Sequence, residues 1–451
     1  MKLISSQASQ TQWQQKLLIA FLAVSTVSSL HADGIYRDGV GAKSMSMGGA
    51  DVAWPEDPLS SLSNNPAGLG FLQGNQVDLG ASSALLTGHY SNRADTGGRL
   101  SDNFSGMPEG AAGFRLNSMP VTVGFGFYPE SGLLADWHYN DVPGGADGKT
   151  TYGYQEFKSQ IIVLRTAFGF AIQINPQLSI GGSVGLIYNE NKLEMPYVFQ
   201  NQPSLPRGFK TLLNLQTAGW GTDGNFGIQY KPNDQLQLGL AYKTQSQIET
   251  HGDAYGDAGA QLTNLGLGAA QHQFHYDAEV DNTFPQSISA GLTWKPQSKW
   301  TLSGEIDWVD WSVFNTLPVK LTNGSNTDIN GVVGSSSLGD SIPLDWSDHL
   351  VYRAGVEYAL NENWSLRAGY IYAKSPVPDS TLTSVTAVIG EHTLTTGVGY
   401  HRGAYGVDLA YQYTIPASRT VSDSALAGGE SSGSTVKLNI QTFTLTASVK
   451  F

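Results

Sequence analysis

Two stretches of the chain carry residue types that could do chemistry. GGSVG at 181–185 has the spacing of a nucleophile elbow, in which a serine, here Ser183, sits on a sharp strand-to-helix turn and attacks a carbonyl carbon. PGGADGKT at 143–150 sets a lysine and a threonine after glycines, as a phosphate-cradling loop does. Neither fits its surroundings. Ser183 falls inside the alternating run LSIGGSVGLIY with no helix after it, and the second stretch lacks the first glycine of a phosphate loop and lies in a long polar connection. The nine histidines are scattered, and His272 and His275 of HQFH read as solvated loop more readily than as a metal pair. The chain is therefore read as a non-enzyme with no catalytic residue, no cofactor and no metal site.

Charge capture is the chemistry that remains. A carboxylate ligand drawn into a region of low dielectric needs a cation or several donors beside it. Arg353 and Arg367 are the strand residues placed to act so, and Arg367, between outward Leu366 and Ala368, faces inward. Pairing with inward acids such as Glu305, Asp307 or Asp408 is the structural alternative for both arginines.

The elements that would position these residues follow from composition and pattern. Lys2 and Lys16 precede an apolar run from Leu17 to Val27 and a short polar stretch ending at Ala32. This predicts a secretory signal peptide over 1–32. A run of eleven residues is too short to span a bilayer as a helix, and no later apolar stretch reaches the length required. The chain has no cysteine, so packing and backbone pairing alone must hold it. Loss of Lys2 and Lys16 takes the formal charge from −13 to −15, which repels nucleic acid.

From residue 76 onward, strand-like segments of about ten residues alternate with tight turns and long polar stretches. The tight turns are NSMP (117–120), NPQ (175–177), PNDQ (232–235), PQSKW (296–300), NENW (361–364) and RGAY (402–405). Between them lie longer connections at about 93–108, 129–156, 191–213, 250–275, 316–343, 374–390 and 414–436. Thirteen connections of this kind join fourteen strands, an even number with short turns on one side, which predicts an all-β fold, a 14-stranded antiparallel transmembrane β-barrel over 76–451.

Alternation within the segments agrees. In WTLSGEIDW (300–308), Trp300, Leu302, Gly304, Ile306 and Trp308 share the face that would meet lipid, and Thr301, Ser303, Glu305 and Asp307 share the other. At about 3.3 Å per residue and a tilt of roughly 40°, the two tryptophans stand close to the height of a barrel's apolar band. The last strand, TFTLTASVKF, alternates to its terminal aromatic, Phe451, which predicts an assembly signal read by the barrel assembly machinery.

Residues 33–75 precede the barrel. They are too rich in Gly, Pro and Asn for a helix and lack strand alternation, yet Met45, Met47, Trp54, Leu59, Leu62, Leu69 and Phe71 are too many apolar side chains for a solvated tail. A lumen of fourteen strands is too wide for its own side chains to fill. The segment is read as an N-terminal plug, or hatch, in the lumen.

The chain resembles the FadL-like outer-membrane transporters of long-chain fatty acids and aromatic hydrocarbons. The resemblance is carried by GAKSMSMGGADVAWPEDPLSSLSNNPAGL (41–69), PLDWSD (343–348), YRAGVEYALNENWSLRAGYIYAKSPVPD (352–379) and the last strand. It implies a monomer in the bacterial outer membrane that captures a hydrophobic small molecule among its external loops and passes it inward without ATP. In this reading Gly48, Gly49, Asn65, Pro66 and Ala67 belong to the hatch that gates the lumen. Gly48 and Gly49 permit backbone shapes that a side chain would block, and NPA forms a stiff corner. Pro129 and Gly132, where a strand runs into its loop, mark a candidate lateral opening. A short helix in 250–275 would present Leu262, Leu265 and Leu267 to ligand. Met195 and Leu344 stand where the fatty-acid branch has basic groups, which leaves room for an uncharged substrate. The expected function is passive uptake of hydrophobic compounds, long-chain fatty acids first. Aromatic hydrocarbons such as toluene are the alternative, and a general porin or a lipid-acting barrel enzyme are the competing classes.

Overall fold

The computed structural model describes residues 34–451, apart from 102, 117, 203 and 269. The expected signal peptide at 1–32 lies outside the described residues. Among the described residues nineteen hydrogen-bonded pieces form one antiparallel sheet that closes as a barrel of 14 strands. The strands are β1 (Gln76–Ser91), β2 (Gly98–Leu100 and Asn103–Leu116), β3 (Val121–Asn140), β4 (Tyr154–Asn175), β5 (Leu178–Val198), β6 (Lys210–Tyr230) and β7 (Leu236–Lys243 and Ser246–Asp257). They continue as β8 (Gln273–Phe284 and Ser287–Gln297), β9 (Trp300–Val309 and Thr316–Thr322), β10 (Leu338–Pro343 and His349–Ala359), β11 (Trp364–Ala373), β12 (His392–Arg402), β13 (Tyr405–Val421) and β14 (Ser434–Lys450). Closure comes from β1 against β14, in register from Gln76 opposite Lys450 to Ser91 opposite Thr435.

Each expected tight turn joins neighbouring strands at one end of the barrel, the end where the chain enters β1 and leaves β14. The long connections are shorter than the sequence reading set them. β3 runs on to Asn140, β5 to Val198 and β7 to Asp257. The reason is a change of solvent. Toward the other end outward residues turn polar, as Glu249, His251 and Asp253 do, so the apolar alternation fades while the backbone ladder of β7 with β8 continues.

Burial follows the alternation. On β9, Glu305 and Asp307 are buried while Ile306 is exposed, and on β14 Phe443, Leu445 and Val449 are exposed while Thr444, Thr446 and Ser448 are buried. An apolar exterior around a polar interior is the inverse of a water-soluble fold and suits a wall with lipid outside.

The segment before β1 contains two short helices where none was expected, α1 (Ala42–Ser46) and α2 (Pro58–Ser63). Local capping explains α2. Asp57 Oδ1 accepts from the Ser60 amide at 2.7 Å, and Pro58 occupies a first-turn position where its missing N–H costs nothing. A 3₁₀ turn follows over Pro66–Phe71, capped by Asn65, whose Oδ1 accepts from Ala67 N at 3.1 Å. Two further short helices lie in the long connections, α3 (Gly259–Asn264) and α4 (Thr327–Val333).

Candidate functional site

Three features meet inside the barrel: an apolar cavity, an interruption in the wall, and the segment before β1. The cavity, of about 200 Å³, lies toward the end with the long connections. Side chains of β3 to β6, β9 and β10 line it together with the β11–β12 connection, which folds inward. Tyr139 and Phe157 stack there with ring centres 3.9 Å apart, and Phe314 meets Trp346 at 5.0 Å. The inward loop is fixed by Trp137, whose Nε1 donates to Ser384 O at 3.0 Å, and by Tyr139 Oη, 2.8 Å from Ser384 Oγ. Met195 and Leu344 both line the cavity. Among the described residues of the lining Lys192 is the one that is basic; its Nζ lies 3.7 Å from Glu194 Oε2, a loose contact. At the rim, the buried Lys210 ammonium is held by Asp141 at 2.7 Å and Glu430 at 2.8 Å, with burial pushing both loop carboxyls above their ordinary range.

The wall is interrupted between β2 and β3. Their pairing runs from Leu116 opposite Val121 to Gly110 opposite Phe127, and beyond it the next described pairs are Leu100 with Trp137 and Arg99 with His138. Asp136 O still accepts from Ser101 N at 2.8 Å, so among the described residues it is 128–135 of β3 that show no β2 partner, while on the other side β3 keeps its ladder to β4 with a register shift between Pro129 and Ser131. Up to Phe127 burial on β3 alternates; from Ser131 to Trp137 every residue is buried, so both faces of the strand are covered and it has turned into the lumen. Pro129 and Gly132 therefore lie within a bent strand and not at a strand end. Proline cannot donate to the ladder, and Pro108 stands on the β2 side of the same gap.

Residues 35–37 occupy the interruption from inside. Gly132 N donates to Ile35 O at 2.9 Å, Arg37 N donates to Glu130 O at 3.2 Å, and Tyr36 bridges Ser131. Ile35 and Leu133 also line the cavity, so the patch over the gap is part of the cavity's floor.

The rest of the segment touches strands all round the barrel. Ala42 N donates to Thr446 Oγ1 at 2.9 Å on β14, Thr395 Oγ1 on β12 donates to Ser46 O at 2.9 Å, and Val52 N donates to Glu305 Oε2 at 2.7 Å on β9. Leu59, Leu62, Leu69 and Leu72 pack on Ala111, Tyr128, Ala167 and Ala171. Gly48 and Gly49 both have φ of 69°, which favours glycine, and Gly48 faces the Ala354 carbonyl. Asn65 is wholly buried, and its Nδ2 donates to Val52 O at 2.7 Å and Ile228 O at 3.2 Å. Pro66 and Ala67 press on β5, where a Cβ at Gly181 would come within 2.5 Å of Ala67 N. On β6 and β7, a Cβ at Gly227 would meet Asn65 Oδ1 at 1.8 Å, and one at Gly239 would meet Val52 O at 2.2 Å. These three strand glycines form the seat of the corner. Sequence reasoning missed them; three glycines at inward positions of otherwise alternating strands were the available signal.

Other expected contact residues stand elsewhere. Arg367 does not reach the cavity: its Nε donates to Glu357 at 2.6 Å and its Nη1 to Asp408 at 2.6 Å. Arg353 is held by Asp307 at 2.7 Å and Asp38 at 3.0 Å. Both correct the expectation of ligand contact, because buried guanidinium groups sit with inward carboxylates. Leu262, on α3, is buried among residues such as Phe199, Phe209 and Phe274, with Leu265 packed at its edge, so the helix seals its own loops; Leu267 is the exposed member. Ser183 lies 3.3 Å from Arg165 Nη2, on a wall strand. Phe451 is exposed beside Phe114, ring centres 6.4 Å apart.

A closed fourteen-stranded wall with an apolar exterior and an apolar cavity inside defines an outer-membrane transport barrel. The chain belongs to the outer membrane protein transport protein family (OMPP1/FadL/TodX), whose sequence profile it matches over residues 23–451. It is 23% identical over 421 residues, 86% of each chain, to a protein of Neisseria meningitidis serogroup B described as an outer membrane protein. It is 27% identical to alkane uptake protein A of Marinobacter nauticus over 43% of this chain and 42% of that one, and 21% identical to the long-chain fatty acid transport protein of Escherichia coli O6:H1 over 49% and 51%. Among solved structures, a FadL homologue of Pseudomonas aeruginosa superposes with a TM-score of 0.74 at 17% identity, covering 93% of this chain and all of that one. The toluene transporter TodX of Pseudomonas putida gives 0.73 at 21% identity with the same coverage. The protein is thus an outer-membrane barrel of a family that takes up hydrophobic compounds.

Proposed function

We propose that the protein is a passive, monomeric channel that captures a long-chain fatty acid in the cavity beneath its external loops and releases it through the gap between β2 and β3 when residues 35–37 withdraw. Residues 33–75 act as the hatch in this reading, with Gly48, Gly49 and the Asn65-Pro66-Ala67 corner as its fixed points. The observation that carries it is the shared floor: Ile35 and Leu133 line the apolar cavity and also cover the gap. A ligand reaching the floor therefore presses on a part of the wall where, among the described residues, β3 is held by a ladder on one side only. Transfer of apolar surface from water into such a cavity is favourable at about 25 cal/mol per Å², which supports capture without ATP.

Lys192 stands on the outer face of β5 by alternation and its contact with Glu194 is loose, so in this reading it meets the carboxylate at the cavity's mouth and not inside it. A second reading, a neutral aromatic hydrocarbon, is favoured by the stacked Tyr139 and Phe157 and by the acids Asp141, Asp340 and Glu430 at the same cavity. Binding of oleate and of toluene to the purified protein and to Lys192→Gln separates the two. Loss of a charge-assisted partner should weaken oleate by about 1.5 kcal/mol, near tenfold, and leave toluene unchanged. Oleate binding that is weak in both proteins while toluene binds well would replace the fatty acid by the hydrocarbon.

A further inference from the structure

The exterior of the barrel carries a charge pattern that contact with lipid tails does not require. At the end with the long connections, four adjacent strands bring basic residues into one row. Lys437 on β14 stands opposite His89 on β1, His89 opposite Arg99 in the first piece of β2, and Arg99 opposite His138 on β3. Residues directly opposite in an antiparallel ladder share a face, so the four side chains stand side by side on the outside of the wall. With strands about 4.8 Å apart, the row is roughly 14 Å long. Arg99 and His138 pair at the far edge of the gap between β2 and β3, so the row passes over the gap's outer mouth.

These groups are available. His89, Arg99 and Lys437 are exposed, and the His138 side chain is 43% exposed. Among the described residues neither Arg99 nor Lys437 has an ion pair or a side-chain hydrogen bond. The acids beside the row are engaged. Asp95, near His89, accepts from the Gly97 amide at 2.7 Å and from the Asn140 amide and side chain at 2.9 and 3.0 Å. Asp136 and Glu156 each take Lys158 at 3.1 Å, and His138 keeps only a 3.6 Å contact with Asp136.

The row is also local, on a chain with a formal charge of −13. Half-way round the wall, the same end of β7 and β8 presents Glu249, Asp253, Asp277, Glu279 and Asp281, and Lys320 on β9 is held by Glu279. Its height follows from the strand. Lys437 lies fourteen residues before Phe451, which at about 3.3 Å per residue and a tilt of roughly 40° is about 35 Å along the normal. An apolar band is about 25 Å tall, so the row stands about 10 Å beyond it, level with the headgroups of the outer leaflet. Guanidinium and ammonium groups are the side chains that pair with phosphate, and imidazoles add N–H donors.

We propose that this row docks the phosphorylated headgroup of an outer-leaflet glycolipid, with Arg99 and Lys437 on its phosphates and His89 and His138 as added donors. The acyl chains of a lipid held in this way run down the outer face of β14 to β3, across the mouth of the gap. The surface stands on register, exposure and charge, and does not depend on what the barrel transports.

Native mass spectrometry of the full-length protein in detergent tests this, with lipid A carrying two phosphates and with the same lipid stripped of both. EDTA is kept throughout, so that no divalent cation bridges phosphate to outward clusters such as Glu249, His251 and Glu279 or Asp253, His275 and Asp277. The expected result is one phosphorylated lipid retained per barrel in preference to the stripped form. Arg99→Gln/Lys437→Gln should weaken that binding about tenfold or more, and Lys320→Gln, on the acidic side, should leave it unchanged. The comparison of the two lipids on the parent protein needs no variant, and it decides the matter if the double variant lacks the heat-resistant band of a folded barrel. Equal retention of the two lipids, parent-like binding by the folded double variant, or an equal loss in Lys320→Gln would each overturn the proposal.

Discussion

At the residue scale, charge pairing decides what an inward arginine does. Arg367 faces the lumen as alternation predicts, but two carboxylates claim it, and the pair list of a lumen is set by strands far apart in sequence. Glu357 lies on the neighbouring strand and Asp408 two strands away. Removing one member of a buried ion network leaves charges uncompensated, at a cost of about 3–5 kcal/mol. Arg367→Gln should therefore lower the melting temperature of the folded barrel and leave oleate and toluene binding per folded molecule equal to the parent. A selective loss of oleate would return Arg367 to the ligand path. The strand glycines obey a different physics, that of close approach. Gly227→Ala would drive a methyl into Asn65 Oδ1, at a typical overpacking cost of about 1–3 kcal/mol, whereas at Gly182 on β5 the nearest atom to an added Cβ is Phe226 Cδ1 at 3.4 Å, ordinary contact. We expect Gly227→Ala to raise single-channel conductance in planar bilayers and Gly182→Ala to leave it unchanged, which places the effect on the corner and not on the sheet.

At the element scale, the wall was legible and the way it is interrupted was not. Strand number, the six tight turns and the lipid face follow from a period of two and from Pro/Asn/Gly turns, because lipid imposes its pattern on every outward residue. The lengths of the outer strand ends were hidden, since above the membrane both faces are polar. The bend in β3 was only half visible. Pro129 and Gly132 marked the place, but the missing β2 partner is a matter of register, and the patch by residues 35–37 joins positions nearly a hundred residues apart. Tyr36 and Ser131 form an isolated antiparallel bridge there, and in such pairs the Cα atoms stand about 4.5–5.5 Å apart, within reach of a disulfide. The chain has no cysteine of its own, so Tyr36→Cys/Ser131→Cys introduces the only pair. Oxidised, this variant should bind ligand but transfer it slowly into the membrane or periplasm, and dithiothreitol should restore the parent rate. Equal rates in both redox states would mean that residues 35–37 need not move.

At the scale of the whole molecule, the question is whether the barrel needs the segment it surrounds. The closure of the barrel does not use it, since β1 pairs with β14 along its whole length, and among the described residues 34–74 the share in the sheet is the bonding of residues 35–37 to β3 at the gap. Against that, the segment supplies partners to buried wall groups: Arg37 to Glu109, Asp38 to Arg353, and the Val52 amide to Glu305. If those wall groups stayed buried after its loss, the cost would be large; a vacated lumen fills with water, however, and a hydrated carboxylate pays no desolvation penalty. The apolar contacts of Leu59, Leu62 and Leu69 with the wall are lost as well, but their wall partners are mostly small, such as Ala111, Ala167 and Ala171. Deletion of residues 34–74 should therefore leave a barrel that migrates as a folded, heat-resistant band with a lowered melting temperature, and that conducts ions steadily in planar bilayers where the parent is closed. Liposomes carrying the deletion should swell in small sugars, as a general porin's do, while uptake of oleate loses its preference over small polar solutes. A deletion protein that folds and conducts no more than the parent would show that the loops and the inward β11–β12 connection close the lumen by themselves.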